Sequence, residues 1–321
     1  MIVTTNLNIQ NMKKIIVSLL VACLMFMQTE TKAQQDVMVS QYMFNGLLLN
    51  PAYSGSHPYF SSTLLHRSQW VKFDGAPMTQ ILAVDGPIKN KNMGVGLIVL
   101  HDQVGATDQT DIYANYSYHL KLGKGKLSFG IKAGVSRYLF NTDQLTYWDA
   151  GDAVYDQGNK QTAWLPKFGF GMYYYTDKWF AGLSVPTLLA YDNNYTFGAD
   201  VNRSSFLDRH YMATGGVIIR LNDNFKMKPS TLIKYVPTAP LQADINLNFL
   251  YKDQFWIGAS YRTGDAVSAI IEYQTNFRFR VGYSYDFTLS NIRRYSSGTH
   301  EIMIGYDFGK DLSKVKTPRF F

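Results

Sequence analysis

Between Phe277 and Phe308 the chain alternates apolar and polar residues with a strict period of two. Phe277, Phe279, Val281, Tyr283, Tyr285 and Phe287 fall on one side of an extended backbone, and Arg278, Arg280, Gly282, Ser284 and Asp286 on the other. After a loop, Ile302, Ile304, Tyr306 and Phe308 repeat the pattern against Glu301, Met303, Gly305 and Asp307. Successive strand side chains point to opposite faces, so each strand has one aromatic face and one charged face. Two folds accept such strands. A soluble sandwich buries the apolar face against a second sheet, whereas a membrane barrel turns it to lipid and lines its lumen with the polar face.

Composition separates several classes. The 321 residues are 46% hydrophobic and 15% aromatic, yet the strand-like runs are half polar, as a barrel requires. The formal charge of +7 is spread over turns and polar strand faces, with no basic run that would track phosphates, so nucleic acid is not an expected partner. Lys13 and Lys14 precede an apolar run from Ile15 to Met27, then polar residues and Ala33. This reads as a secretory signal over 1–33, cleaved at Ala33-Gln34. The one cysteine, Cys23, lies within it, so the mature chain has none for a disulfide or thiolate metal site.

The rest divides into a non-barrel segment, 34–57, a barrel, 58–309, and a basic tail, 310–321, with Lys310, Lys314, Lys316 and Arg319. Strand-like runs extend from Tyr59–Trp70 and Thr79–Ile88, through Phe168–Thr176 and His210–Leu221, to Phe277–Phe287 and Glu301–Phe308. About fourteen such runs give an even number within the bacterial range. Alternate connections are tight and polar, as in Gly123-Lys124-Gly125 and Lys252-Asp253-Gln254, while Asn141–Lys167, Pro186–Arg209 and Thr288–Thr299 are longer. Short turns at one end and longer loops at the other favour the barrel over a sandwich, with both termini periplasmic. Tyr173-Tyr174-Tyr175 beside Trp179 reads as part of an aromatic girdle. The segment 34–57 has apolar residues without sustained alternation, so it is either a plug in the lumen or a periplasmic lead-in.

That segment carries the chain's most specific motif. Ser40-Gln41-Tyr42-Met43-Phe44-Asn45, followed by Asn50-Pro51-Ala52-Tyr53-Ser54-Gly55, resembles the opening of the PorP/SprF family. The resemblance continues through Arg67-Ser68-Gln69-Trp70, Gly75-Ala76-Pro77-Met78-Thr79, Asp85-Gly86-Pro87 and Gly94-Val95-Gly96, and ends at His300-Glu301-Ile302 and Tyr306-Asp307-Phe308. It implies an outer-membrane protein of the type IX secretion and gliding systems of Bacteroidota. On that analogy the barrel is an accessory to export, and its partner is a secreted adhesin carrying a type B C-terminal domain. A periplasmic peptidoglycan-binding lipoprotein and the core secretion complex are further implied partners, with outer-membrane lipid around the barrel. The motif residues, with Trp148 and Trp164 from aromatic long loops, are the candidate partner-binding positions.

Two rivals belong to other classes. A porin would use lumen charges such as Lys132, Arg278, Arg280, Asp244 and Asp286. A hydrolase would need a nucleophile, a base and an orienting group, but the histidines are scattered and no Gly-x-Ser-x-Gly elbow occurs. No cofactor, metal or enzymatic activity is expected.

Overall fold

The computed structural model describes residues 37–309 except 90, 142–159, 191–208, 238 and 276. The leader, the basic tail and the loop residues Tyr147, Trp148, Tyr155, Tyr191 and Tyr195 lie outside the described residues. Fifteen strands form one antiparallel sheet: β1 (Phe60–Ser68), β2 (Met78–Pro87), β3 (Met93–Val104), β4 (Thr107–Leu122), β5 (Gly125–Asn141), β6 (Lys160–Tyr175), β7 (Trp179–Ala190), β8 (Tyr211–Val217), β9 (Ile219–Arg220), β10 (Phe225–Val236), β11 (Ala239–Tyr251), β12 (Phe255–Arg262), β13 (Ala266–Gln274), β14 (Phe279–Thr288) and β15 (Thr299–Phe308). β1 pairs with both β2 and β15, and β10 with both β8 and β11, so the sheet closes on itself. β8 and β9 are two pieces of one stave, which leaves fourteen staves around the barrel. Closure removes the free edges that so aromatic a sheet would otherwise expose.

The broken stave has a local cause. Ser230 faces Gly216 and Met227 faces Ile219, so Pro229 sits opposite the interruption. Proline has no N–H to give to the ladder, and Ile218 instead donates its N–H to the Lys178 carbonyl at 2.6 Å. The run expected as one strand, His210–Leu221, is therefore two. A second correction concerns Trp164-Leu165-Pro166, expected in a loop. These residues belong to β6, which begins at Lys160 rather than Phe168. Pro166 faces Val135 of β5, but the β6–β7 ladder starts only at Lys167, so its missing donor costs no bond on that side. Likewise Pro186–Ala190 extends β7. At the other end of the chain, Phe277 and Arg278 form a turn rather than the start of a strand. Arg278 has φ of 72° and donates to the Gly309 carbonyl, so it is not a lumen charge.

Side-chain direction decides the environment. Leu64, Leu82, Ile131, Leu183, Ile245, Ile257 and Ile302 point outward and are exposed. Aromatic pairs ring the short-turn end: Phe60–Phe308, Phe279–Tyr306, Phe225–Tyr251 and Tyr174–Trp179, with centroids 4.7–5.6 Å apart. Tyr211–Tyr235 lies at the opposite end. An outward apolar belt between aromatic rings is the surface of a membrane barrel. Replacing Ile245, 61% exposed, by arginine is expected to destabilise the barrel in a bilayer by about 2–4 kcal/mol. Urea titration in vesicles measures it, and a neutral result would mean that no hydrocarbon touches this face.

Candidate functional site: a segment held inside the lumen

Residues 37–57 lie within the barrel, against the inner face of the wall. Three short 3₁₀ turns, Tyr42–Phe44, Gly46–Leu48 and Pro51–Tyr53, fold the chain compactly. Val39, Tyr42, Met43, Phe44, Leu47, Ala52 and Tyr53 are buried together with inward-facing Leu65, Ile81, Ile98, Leu232, Leu250, Ile270 and Met303. A lumen open to water would put polar groups at those wall positions. Here these seven wall positions are apolar, so barrel and segment share a core.

Charge holds the upstream end. The Glu301 carboxylate accepts the backbone N–H groups of Ser40 and Gln41, both at 2.8 Å. Ser40 Oγ donates to Asp286 at 2.7 Å. Arg67 Nη1 lies 3.0 Å from Glu301 and 2.9 Å from Asp286, and all three side chains are nearly inaccessible. Two carboxylates this close are held by a shared guanidinium and by the chain they bind. Gly282 gives the Gln41 side chain its space, since a Cβ there would stand 2.3 Å from Oε1. The Tyr42 hydroxyl accepts from Asn246 Nδ2 at 2.7 Å. Phe44 meets Trp256 edge-on at 5.8 Å.

The second half of the motif is pinned through backbone carbonyls. Asn50 Nδ2 donates to the carbonyls of Met172 and Leu183, while its Oδ1 accepts Ala52 N–H and caps the third turn, with Pro51 at the first position. Ser184 donates to Leu49 O, Ser128 to Ala52 O and Ser117 to Ser54 O, at 2.6–2.7 Å. Asp85 accepts Gly55 N–H and faces His57 at 3.0 Å. Ala52 rests on Gly130, where a Cβ would lie 2.2 Å from its backbone nitrogen. Replacing Asn50 by alanine is expected to cost about 1–3 kcal/mol through the lost cap and the two lost side-chain bonds to the wall. Thermal unfolding in detergent checks it.

The segment has a direction. Arg67, Asp286 and Glu301 stand near the long-loop ends of their strands, whereas Asp85, Ser117 and Ser128 stand near the short-turn ends. The chain thus descends from Ser40 at the loop side to β1 at the turn side. Between the segment and β7, β8 and β10 a cavity of about 40 Å³ remains, lined by Tyr42, Asn50, Tyr173, Thr214 and Lys228 among others. That is space for a water molecule or two.

The sequence-derived candidates separate into three groups. Ser40, Gln41, Tyr42, Phe44, Asn45, Asn50, Pro51 and Tyr53 are buried in the lumen, with Arg67 in the wall that clamps them. Gln69, Trp70, Gly75, Pro77 and Thr79 build the long-loop rim. Gln69 N–H bonds to Pro77 O, Trp70 N–H to Thr299 Oγ1, Gly105 N–H to Gly75 O, and Thr79 Oγ1 to Asp102. Trp164 stands apart on the outer wall, 62% exposed, and Trp148 lies outside the described residues. Tyr173 and Tyr175, expected in the girdle, turn inward, and Tyr173 packs on Tyr53 at 5.7 Å. Sequence reasoning left Asp286 as a generic lumen charge. Its signal was only its place on the polar face beside Glu301.

A closed barrel with an apolar outer belt and its own chain folded into the lumen defines an integral membrane protein. The chain belongs to the PorP/SprF family of type IX secretion system membrane proteins, whose family model matches residues 31–306. No curated protein matches the sequence. Among solved structures it is similar to the Acinetobacter baumannii outer membrane protein Omp33, at 7% identity and a TM-score of 0.48, over 79% of this chain and 100% of that one. It is also similar to the CymD monoaromatic hydrocarbon channel, at 13% identity and 0.46, over 84% and 95%, and to the KdgM porin, at 12% and 0.37, over 78% and 99%. These scores leave the fold assignment to the strand ladder itself. Barrel and family together point to the outer membrane.

Proposed function

We propose that this barrel is an accessory component of type IX secretion that receives a secreted adhesin, through its C-terminal domain, at the long-loop face. The observation that carries the reading is the filled lumen in a member of a secretion family. A barrel occupied by its own chain suits a docking role better than a solute channel. The partner-facing surface is the rim knitted from the loops after β1 and β14, where Val71 and residues 297–298 exchange backbone hydrogen bonds. Phe73 and Tyr295 are exposed on it, the kind of aromatic anchor that dominates protein interfaces. On this reading the leader ends at Ala33-Gln34, the short turns face the periplasm, and a peptidoglycan-binding lipoprotein or the core complex engages that side.

The test is affinity purification of the tagged barrel from its native membrane, with co-purifying proteins identified. A surface adhesin should be recovered with the wild type and lost with Phe73→Ala/Tyr295→Ala, whose lumen contacts are untouched. Recovery of the barrel alone, with surface adhesin unchanged after deletion, would refute the reading. Steady ion conductance by the purified wild type would favour the porin instead.

A further inference from the structure

We propose that the short-turn rim of the barrel is a binding surface for anionic phospholipid headgroups. The rim is basic around its circumference. Lys89 and Lys91 lie on the β2–β3 turn, Lys124 on β4–β5, Lys178 on β6–β7, Arg220 at the start of β9–β10, Lys252 on β11–β12 and Arg278 on β13–β14. All but the half-buried Arg278 are exposed. Among the described residues the exposed acids there are Asp177, Asp223 and Asp253, and Asp253 is paired with inward-facing Lys226. Among the described residues the opposite rim mixes Asp74, Asp108 and Asp265 with Lys72, Arg209, Arg293 and Arg294.

Position selects the ligand. Lys178 lies between Tyr174 and Trp179, which pack at 5.0 Å. Lys252 sits over the Tyr251 ring at 5.3 Å, and that ring packs on Phe225. Arg278 precedes Phe279, which packs on Tyr306 at 4.7 Å. Girdle aromatics mark the boundary of the hydrocarbon. A cation one residue beyond them stands at the depth of lipid phosphates, where attraction is strongest. The distribution argues the same way. A single protein partner would need a one-sided patch, whereas five of the six short turns carry a cation and Arg220 flanks the sixth, matching an annulus of lipid. This inference stands apart from the adhesin reading and needs only that the barrel spans a bilayer.

The experiment reconstitutes the full mature chain into nanodiscs of equal phosphatidylglycerol and phosphatidylcholine, extracts it gently, and counts retained lipids by native mass spectrometry. A cation at an anionic surface is worth about fivefold in binding. Wild type should therefore retain phosphatidylglycerol over phosphatidylcholine by roughly tenfold or more at low salt, and lose that preference at about 1 M salt. Lys89→Gln/Lys124→Gln/Lys178→Gln/Lys252→Gln should bring the ratio towards one, while Lys72→Gln/Arg293→Gln/Arg294→Gln leaves it unchanged. Strand content by circular dichroism in pure phosphatidylcholine reports folding, and should a variant misfold, the wild-type salt dependence and the opposite-rim variant still decide. A wild-type ratio near one overturns the proposal, as does equal loss from both rims. So does a folded short-turn variant that keeps the wild-type phosphatidylglycerol preference.

Discussion

Arg67→Ala is expected to destabilise the barrel by about 3–5 kcal/mol, the cost of removing one partner from a buried ion cluster. Asp286 and Glu301 would then share a sealed pocket without the guanidinium that contacts them both. The segment they hold at Ser40 and Gln41 would loosen with them, because both backbone N–H groups end on Glu301. Urea unfolding in detergent measures the first effect, and limited proteolysis within 37–57 the second. Adding Glu301→Gln to Arg67→Ala removes one orphaned charge and should restore part of the loss. If the single variant is as stable and protease-resistant as wild type, the clamp does not hold the segment.

Gly130→Val attacks the same segment sterically. Its Cβ would press on the Ala52 nitrogen from 2.2 Å, and a backbone atom has no flexible side chain's freedom to yield. The wall is fixed by ladders on both sides, so the segment has to move. A cost of roughly 3 kcal/mol or more is expected, at the upper end for overpacking. Planar-bilayer recordings should then register ion conductance that the wild type lacks, because Leu47 and Tyr53 lose their seats. A variant that stays silent, with wild-type stability, would mean that the segment does not close the lumen.

The outer face of this barrel was legible because lipid imposes one rule on every strand, and Leu241, Ile245 and Leu247 obey it against Asp244, Asn246 and Asn248. The inner face obeys no rule that a single strand can carry. Ile81 and Leu82 are adjacent and both apolar, yet one meets Leu47's cluster and the other faces outward. Only the fold brings residues 37–57 against β2, so neither the shared core nor the Arg67–Asp286–Glu301 clamp can be read from local pattern. Proline misled in the same way. Pro166 reads as a loop breaker until the register places it beyond the end of the neighbouring ladder. The motif residues are legible as a string but not by position: local pattern leaves 34–57 as either a plug or a lead-in, and only the fold shows Ser40, Tyr42, Asn50 and Tyr53 buried in the lumen.

Spin-label accessibility along β11 tests the central claim most directly. In a Cys23→Ser background, single cysteines at Ala243, Ile245, Leu247, Asp244, Asn246 and Asn248 would carry the label in bilayers. Labels at 243, 245 and 247 should collide readily with oxygen, which concentrates in hydrocarbon, and little with a water-soluble nickel chelate. Labels at 244, 246 and 248 should give low collision rates with both, because they face a packed lumen. Nickel accessibility at the odd positions, or a water-filled signature at the even ones, would contradict the account.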